Sequence, residues 1–446
     1  MFKNISTKIA RLINRAPLIR KEKKFKPKVD NKFNNIEDIP NKNNLKKGII
    51  VIASLIFLFL VVLIVQISLA VFQFNPKPFP DSTQRNKTQE LSQGIRTVMF
   101  LVLDRPDESH SFVDGLAVLS YNIDTNKISI FTINPDLKIY STRLGRDLFI
   151  RTAFNDIPSK EDKINYFTEG VESLLAIKID NYIVTDISTF NEFSKFLAPI
   201  NIAIDQDIKD LDVVNLPDKE LKQWGSGNVL LRGTDYLEFL ASNSNGRDDQ
   251  LNRQASVMKK IILSVFNVQN IFNIPNILNS VENGFLCTDI TKSEFIEIFF
   301  EISQAKDSNI NYGYTKAKAY YNIYAVTYYP VFGINFSLLD KDIGDVFSDI
   351  LIFKEQARIE ILNGSSVKGL ASNRARWVSN TGARIIKIGN SYESETKTKI
   401  YCNDISKYSK TLNAIQRIFN GKAELINKDY NQRHIGDIII VIGDEY

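Results

Sequence analysis

Histidine and cysteine are almost absent from this chain: 446 residues hold two of each, His110 and His434, Cys287 and Cys402. That scarcity excludes a histidine-rich metal cluster, a CxxC redox or zinc site and a Ser-His-Asp nucleophile. The two cysteines fall in different expected units and read as separate buried thiols, with a disulfide still open to a chain outside the membrane. A complete phosphate loop is missing as well. Asn363-Gly364-Ser365-Ser366-Val367-Lys368-Gly369 has the two-glycine spacing, but Leu370 and Ala371 stand where lysine and a metal-binding hydroxyl are required. The stretch therefore reads as a turn that caps the next helix. There is no internal repeat, helix-turn-helix or aromatic-rich nucleic-acid module, so no nucleic-acid partner is expected.

What the chain does have is one long apolar run, Ile49 to Phe74, in which Ser54, Gln66 and Ser68 are the polar positions before Gln73. Residues 49–72 at about 1.5 Å each give roughly 36 Å, enough to cross a hydrocarbon core of about 30 Å with some tilt. Residues 1–48 carry 14 Lys or Arg against four acidic residues, a charge of +10. The whole chain is +5 and the apolar run is uncharged, which leaves −5 on everything after it. The positive-inside rule then places the basic, Asn- and Lys-rich tail in the cytoplasm and the body outside, on an uncleaved single-pass anchor in the lipid bilayer. The tail reads as a disordered topology signal rather than a nucleic-acid or lipid grip.

Residues 75–94 (NPKPFPDSTQRNKTQELSQG) read as a stalk. From there to about Phe336, strand-like runs (TVMFLVLD, GLAVLSYN, KISIFTIN) are followed by helical periodicity in INYFTEGVESLLAI, STFNEFSKFLAPI, RQASVMKKIILSVFNV and SEFIEIFFEIS. This mixture predicts an α/β unit over 95–336. Residues 337–356 read as a linker with helical potential. A second, smaller α/β module follows over 357–446 in the order strand, helix, strand, strand, helix, strand, strand, with Gly382 and Gly421 at helix C-caps.

Charge gathers at two places. Asp104-Arg105 ends the first buried run and Asp114 follows after a loop, where carboxylates at strand ends meet ligands in open sheets. Two such carboxylates suit Mg²⁺, and an arginine suits phosphate, although a turn cap at Asp104 and a solvated Arg105 would account equally for the spacing. The second cluster is Arg232, Arg247, Asp248, Asp249, Arg253 and Gln254, with Arg253 and Gln254 opening a helical segment. The 29 phenylalanines would suit a lipid channel, though an ordinary core explains most of them.

In order, TVMFLVLD, FVDGLAVLSYNIDTNKISIFTINPD, GVESLLAIKIDNYIVTDISTFNEF, LRGTDYLEFL and DDQLNRQ resemble a LytR-CpsA-Psr (LCP) domain. The segment from IEILNGSSVKGLASNRA to GDIIIVIGDEY resembles a LytR C-terminal domain, so the resemblance spans about 96–446. It implies an α/β/α domain with a central mixed sheet, anchored in the cell membrane and facing outward. Its implied activity is transfer of glycopolymers from polyprenyl-pyrophosphate carriers to a cell-wall acceptor. By the same resemblance Asp104 and Asp114 would hold Mg²⁺ or order the pyrophosphate, with Arg253, Gln254, Asp136 and Arg105 binding substrate. No general base stands out. Two family arginines are replaced, by Phe112 and Pro135, and Ser242 and Asn243 stand where further arginines are usual. Either Arg105, Arg151 and Arg247 rebuild the site, or the domain is an impaired enzyme that binds envelope components as a scaffold. A transcriptional attenuator is the least favoured reading, since the tail has no DNA-reading fold.

Overall fold

The computed structural model describes residues 66–67, 75, 77–80, 94–105, 111–141, 144–157, 162–209, 223–264, 268–302, 304–316, 336–430 and 433–445. The basic tail and the expected transmembrane helix lie outside the described residues, apart from Gln66 and Ile67. Among the described residues no helix is long and apolar enough to cross a membrane.

The first domain is built on β1 (Ile95–Leu103), β2 (Val113–Asn122), β3 (Lys127–Thr132), a hairpin of β4 (Lys138–Ser141) and β5 (Arg146–Phe149), and β6 (Asn181–Asp186). A ribbon pairs β7 (Ile200–Ile204) with β10 (Gly227–Leu231), with the short β8 (Ile208–Lys209) and β9 (Gln223–Trp224) between them in sequence. β11 (Leu286–Thr288) and β12 (Ile310–Tyr314) complete a six-stranded sheet in the order β11-β6-β1-β2-β3-β12. The sheet is mixed: β1 runs antiparallel to β2 and parallel to β6.

The near-continuous apolar run in β1 follows from burial on both sides. Met99, Leu101 and Leu103 face one core with Val118 and Phe131. Helix α1 (Lys163–Leu175) covers that side, with Phe167 and Val171 in the same core. The opposite face carries Leu119, Tyr121, Ile128 and Ile130. In chain order the helices after α1 are α2 (Ile187–Ser194), α3 (Asp235–Ala241), α4 (Arg247–Ser264), α5 (Val268–Asn283) and α6 (Lys292–Ile302). Ala255 and Ile262 of α4 pack on the second face. Helix α2 stops at Ser194, short of the expected STFNEFSKFLAPI, because Ala198 to Ile200 lead into β7.

Two segments expected to be connectors are packed. Leu339, Ile343 and Val346 of α7 (Phe336–Phe347) are buried in the α1-side core, so most of the expected linker belongs to the first domain. In the expected stalk, Lys77 bridges to Cys287 and the Phe79 N–H donates to the Tyr182 hydroxyl at 3.1 Å.

After α8 (Ile350–Glu355), the second module runs β13 (Arg358–Asn363), α9 (Leu370–Asn380), β14 (Arg384–Asn390), β15 (Lys399–Cys402), α10 (Ser409–Ile418), β16 (Glu424–Ile426) and β17 (Ile438–Ile442). This is the expected element order, in a sheet β14-β13-β17-β15-β16 with both helices packed into one core. Gly382 (φ +96°) and Gly421 (φ +71°) follow the two helices in the left-handed region that a C-cap requires. Both cysteines are buried thiols.

On the other face, the buried Glu360 carboxylate accepts from the Ile435 and Gly436 N–H groups at 2.9 and 2.8 Å and lies 2.6 Å from His434 Nδ1. Burial alone would raise its pKa, but these bonds outweigh it and hold the carboxyl below its ordinary 4.5. A depressed folded-state value supplies stability that is present above the unfolded pKa and is lost as the pH falls through the folded one. Acid unfolding followed by circular dichroism should therefore show a step below about pH 4.5 that Glu360→Gln removes; an unchanged acid profile in that variant would refute the assignment.

The two modules meet through buried and half-buried polar groups. From α9, Arg376 forms a two-bonded pair with Asp340 of α7, both bonds 2.8 Å, and donates to the Leu174 and Ser173 carbonyls at 3.0 and 3.4 Å. Asn380 donates to the Leu175 carbonyl at 3.0 Å. These are the C-terminal carbonyls of α1, which have no partner within their own helix. Next to them Ala176, left-handed at φ +49°, is buried in the second module's core. From α10, Arg417 bonds Asp180 at 2.5 Å, the Lys178 carbonyl and the Thr97 hydroxyl.

Candidate anion and metal site at the strand ends

β1 ends at Leu103, and the next residue, Asp104, uses Oδ1 to accept the N–H groups of Arg105 and Phe112 at 2.7 and 2.6 Å. Asp104 thus closes the loop between β1 and β2 as a turn cap. β2 begins with Val113, so Asp114 sits across from Asp104 at the same sheet end. Burial first, and then the Asp104 charge, raise the Asp114 pKa, while Arg151 and Arg247 oppose them.

Asp136 arrives from the turn after β3, its N–H bonded to Asn134 Oδ1 at 2.9 Å. The β4–β5 hairpin then folds back on that turn: the Ile150 N–H bonds the Leu137 carbonyl and the Arg151 N–H bonds the Pro135 carbonyl, each at 2.8 Å. This return brings Arg151 Nε to 2.9 Å from Asp136 Oδ1 and its Nη1 to 3.8 Å from Asp114 Oδ1. Helix α4 supplies the second guanidinium. The Thr132 hydroxyl bonds the Leu251 carbonyl at 2.8 Å and holds the start of α4 over the end of β3. Arg247 Nε lies 3.7 Å from Asp136 Oδ2. Burial lowers the Arg247 pKa, Asp136 opposes the shift, and Arg151 adds to it.

The structure therefore gathers Asp104, Asp114 and Asp136 with Arg151 and Arg247. Arg253 and Gln254, singled out in the sequence, serve a different place. The Arg253 side chain is 5% exposed and bonds Asp249 Oδ2 at 2.8 Å, the Ser242 carbonyl at 2.5 Å and the Phe239 carbonyl. Gln254 donates to the Leu240 carbonyl at 3.1 Å. Both satisfy the carbonyl end of α3, and burial, ahead of the opposing Asp249, lowers the Arg253 pKa. Arg105 is exposed beside Asp104. Of the three arginines that the sequence offers as replacements, Arg105, Arg151 and Arg247, the fold-back of the hairpin and the phase of α4 select the last two.

Three carboxylates against two guanidiniums leave the cluster with one negative charge in excess. Burial, and after it the facing Asp104 charge, raise Asp114, and a hard divalent cation between the two carboxylates would offset both. Oxygen donors on Asp104 and Asp114 thus fit Mg²⁺, and the forked donors of Arg151 and Arg247 fit phosphate oxygens. No group of three or more His, Cys, Asp or Glu suited to a metal occurs among the described residues, so part of a metal's shell would come from water or substrate.

The profile of the LytR_cpsA_psr family matches residues 75–335, and that described as LytR cell envelope-related transcriptional attenuator matches 356–446. Similar solved structures include B. subtilis TagV, 18% identical with a TM-score of 0.45, covering 56% of this chain and 94% of that one. B. subtilis TagU is 18% identical with a TM-score of 0.36, covering 49% and 84%. TagT bound to LIIa-WTA is 15% identical with a TM-score of 0.43, covering 59% and 94%. None of the curated proteins matches the chain.

Proposed function

Because the chain belongs to the LytR-CpsA-Psr family and carries a LytR C-terminal domain, we propose that it is a membrane-anchored, outward-facing transferase that moves a glycopolymer from a polyprenyl-pyrophosphate carrier to a cell-wall acceptor. One observation supports the lipid-linked substrate above others. Side chains alternate along a strand, so Phe100 and Val102 lie on the sheet face that runs toward Asp104, and both are only half-buried. Over the same face, α6 (KSEFIEIFFEI) has no fully buried residue despite its phenylalanines and isoleucines. An incompletely covered apolar face that ends in a charged cluster suits an amphiphile, with its tail along the sheet and its head at the strand ends.

In this reading Asp104 and Asp114 hold Mg²⁺, which when bound would neutralise and orient phosphate oxygens. Arg151 and Arg247 bind the pyrophosphate, and Asp136 fixes both guanidiniums. An acceptor hydroxyl oxygen bonds to the phosphorus that bears the glycopolymer, the bond from that phosphorus to the bridging oxygen breaks, polyprenyl phosphate leaves, and the hydroxyl proton is released. Arg253 and Gln254 act on the scaffold, by locking α3 to α4.

Titrating the full-length protein in nanodiscs with a short-chain polyprenyl pyrophosphate, with and without Mg²⁺, tests this. Metal-dependent binding with diphosphate cleavage, both lost in Asp114→Ala, is the expected result. Binding without cleavage would favour the scaffold reading, and absence of binding in wild type would refute the proposal.

A further inference from the structure

We propose that the C-terminal module has a binding site of its own for an uncharged saccharide, in the polar cavity at the carboxyl ends of β13 and β14. This site is separate from the strand-end cluster of the first domain and does not depend on the activity proposed for it.

The cavity, about 280 Å³, lies between the turn that begins at Asn363 and the loop that follows Asn390. Its walls are fixed by main-chain bonds: the Ser391 N–H to the Asn363 carbonyl at 2.9 Å and the Glu395 N–H to the Gly364 carbonyl at 2.8 Å. A Cβ on Gly364 would stand 3.1 Å from the Ile442 carbonyl oxygen and 3.3 Å from that of Glu393, so the two walls approach as bare backbone. The turn is closed from within by Asn363, which bonds the Val367 carbonyl at 2.9 Å, and from outside by Asp444, which accepts from Ser366. A cavity built this way is formed before any ligand arrives.

Its remaining side chains are uncommitted. Lys368, Asn390, Tyr392, Glu393 and Ser394 line it, and none of their side chains makes a hydrogen bond or ion pair to the described residues. Together they offer donors and acceptors in balance. One lysine and one glutamate cancel, so an anion would meet Glu393 and a cation would meet Lys368. Leu370 and Ala371 remove the groups that a nucleotide phosphate would need. A ligand with many hydroxyls, each able to donate and accept, satisfies this lining without a net charge. Tyr392, 84% exposed, presents a ring face on which the C–H side of a sugar ring can lie. The volume is just below the roughly 300 Å³ at which sites for drug-sized ligands begin, which suits one or two sugar rings of a longer chain. Carboxyl ends of parallel strands are also where open α/β sheets take their ligands.

The test is calorimetric titration of the full-length protein in nanodiscs with chitotetraose, cellotetraose and inorganic phosphate in turn. At least one tetrasaccharide should bind at millimolar concentration or below, roughly tenfold more weakly in Tyr392→Ala, more weakly again in Asn390→Ala, and unchanged in Asp114→Ala, which separates this site from the first domain's. Phosphate should not bind here. Failure of both saccharides, an unaffected Tyr392→Ala, or phosphate binding that is lost on Lys368→Ala would each overturn the proposal.

Discussion

Under the proposed activity, Arg247→Ala should lower transfer by about 10³-fold or more while lowering the melting temperature less than Arg253→Ala does. A guanidinium that balances charge on a transferring phosphoryl group contributes about 10³ to 10⁵ in rate. Here two guanidiniums stand against three carboxylates, so losing one would leave the proposed pyrophosphate substrate facing a cluster dominated by negative charge. The Arg247 side chain is 30% exposed, its ion pair with Asp136 spans 3.7 Å and its Nη1 donates to Gln250 Oε1 at 2.5 Å, a single bond within one helical turn, so the fold gains less from it than from Arg253. Arg253→Ala makes the informative contrast. Removing that side chain strands the Phe239 and Ser242 carbonyls inside the protein and frees Asp249, at a stability cost of about 2 to 4 kcal/mol. Single-turnover transfer and thermal unfolding, measured on both variants, separate the roles. If Arg247→Ala keeps wild-type turnover, the guanidinium assignment is wrong.

Arg376→Ala should destabilise the protein by about 3 kcal/mol, although it lies in the second module and touches no substrate. It removes both bonds to Asp340 and leaves the Ser173 and Leu174 carbonyls at the end of α1 without donors. Lysine should not rescue it, because an ammonium cannot reach a carboxylate with two bonds and two carbonyls at once. Denaturant unfolding reads the effect. An unchanged midpoint in Arg376→Ala would mean that the modules are stable independently of this contact.

How far these features were readable in the sequence depended on what set them. The second module was legible strand by strand, because local pattern decides it: isoleucine-rich β13 and β17, and the glycines at 382 and 421 where each helix must end. Asp104 and Asp114 could be found because they end or flank strong β runs, whereas Asp136 comes from the family resemblance alone. Arg151 and Arg247 are named in the sequence only alongside Arg105, as replacements for missing family arginines; a hairpin return and the rotational phase of α4 select them, and neither leaves a mark in nearby residues. That phase also turns Arg253, six residues after Arg247, toward α3. The stretch that forms α7 reads in sequence as a linker with helical potential for a related reason. Its charged residues, Asp340, Lys341, Asp342 and Asp345, read as solvated until the partner for Leu339, Ile343 and Val346 is known.

The capping of α1 by Arg376 also has a schedule. The donor follows the carbonyls it serves by 202 and 203 residues. At 5 to 20 residues per second, ribosomes need roughly 10 to 40 s to cover that distance. During that interval the nascent first domain has its core residues but not the last donors for α1, so its final turn stays open to water. The first domain is finished only once α9 is made, and a premature stop between α7 and Arg376 would release it with an uncapped helix.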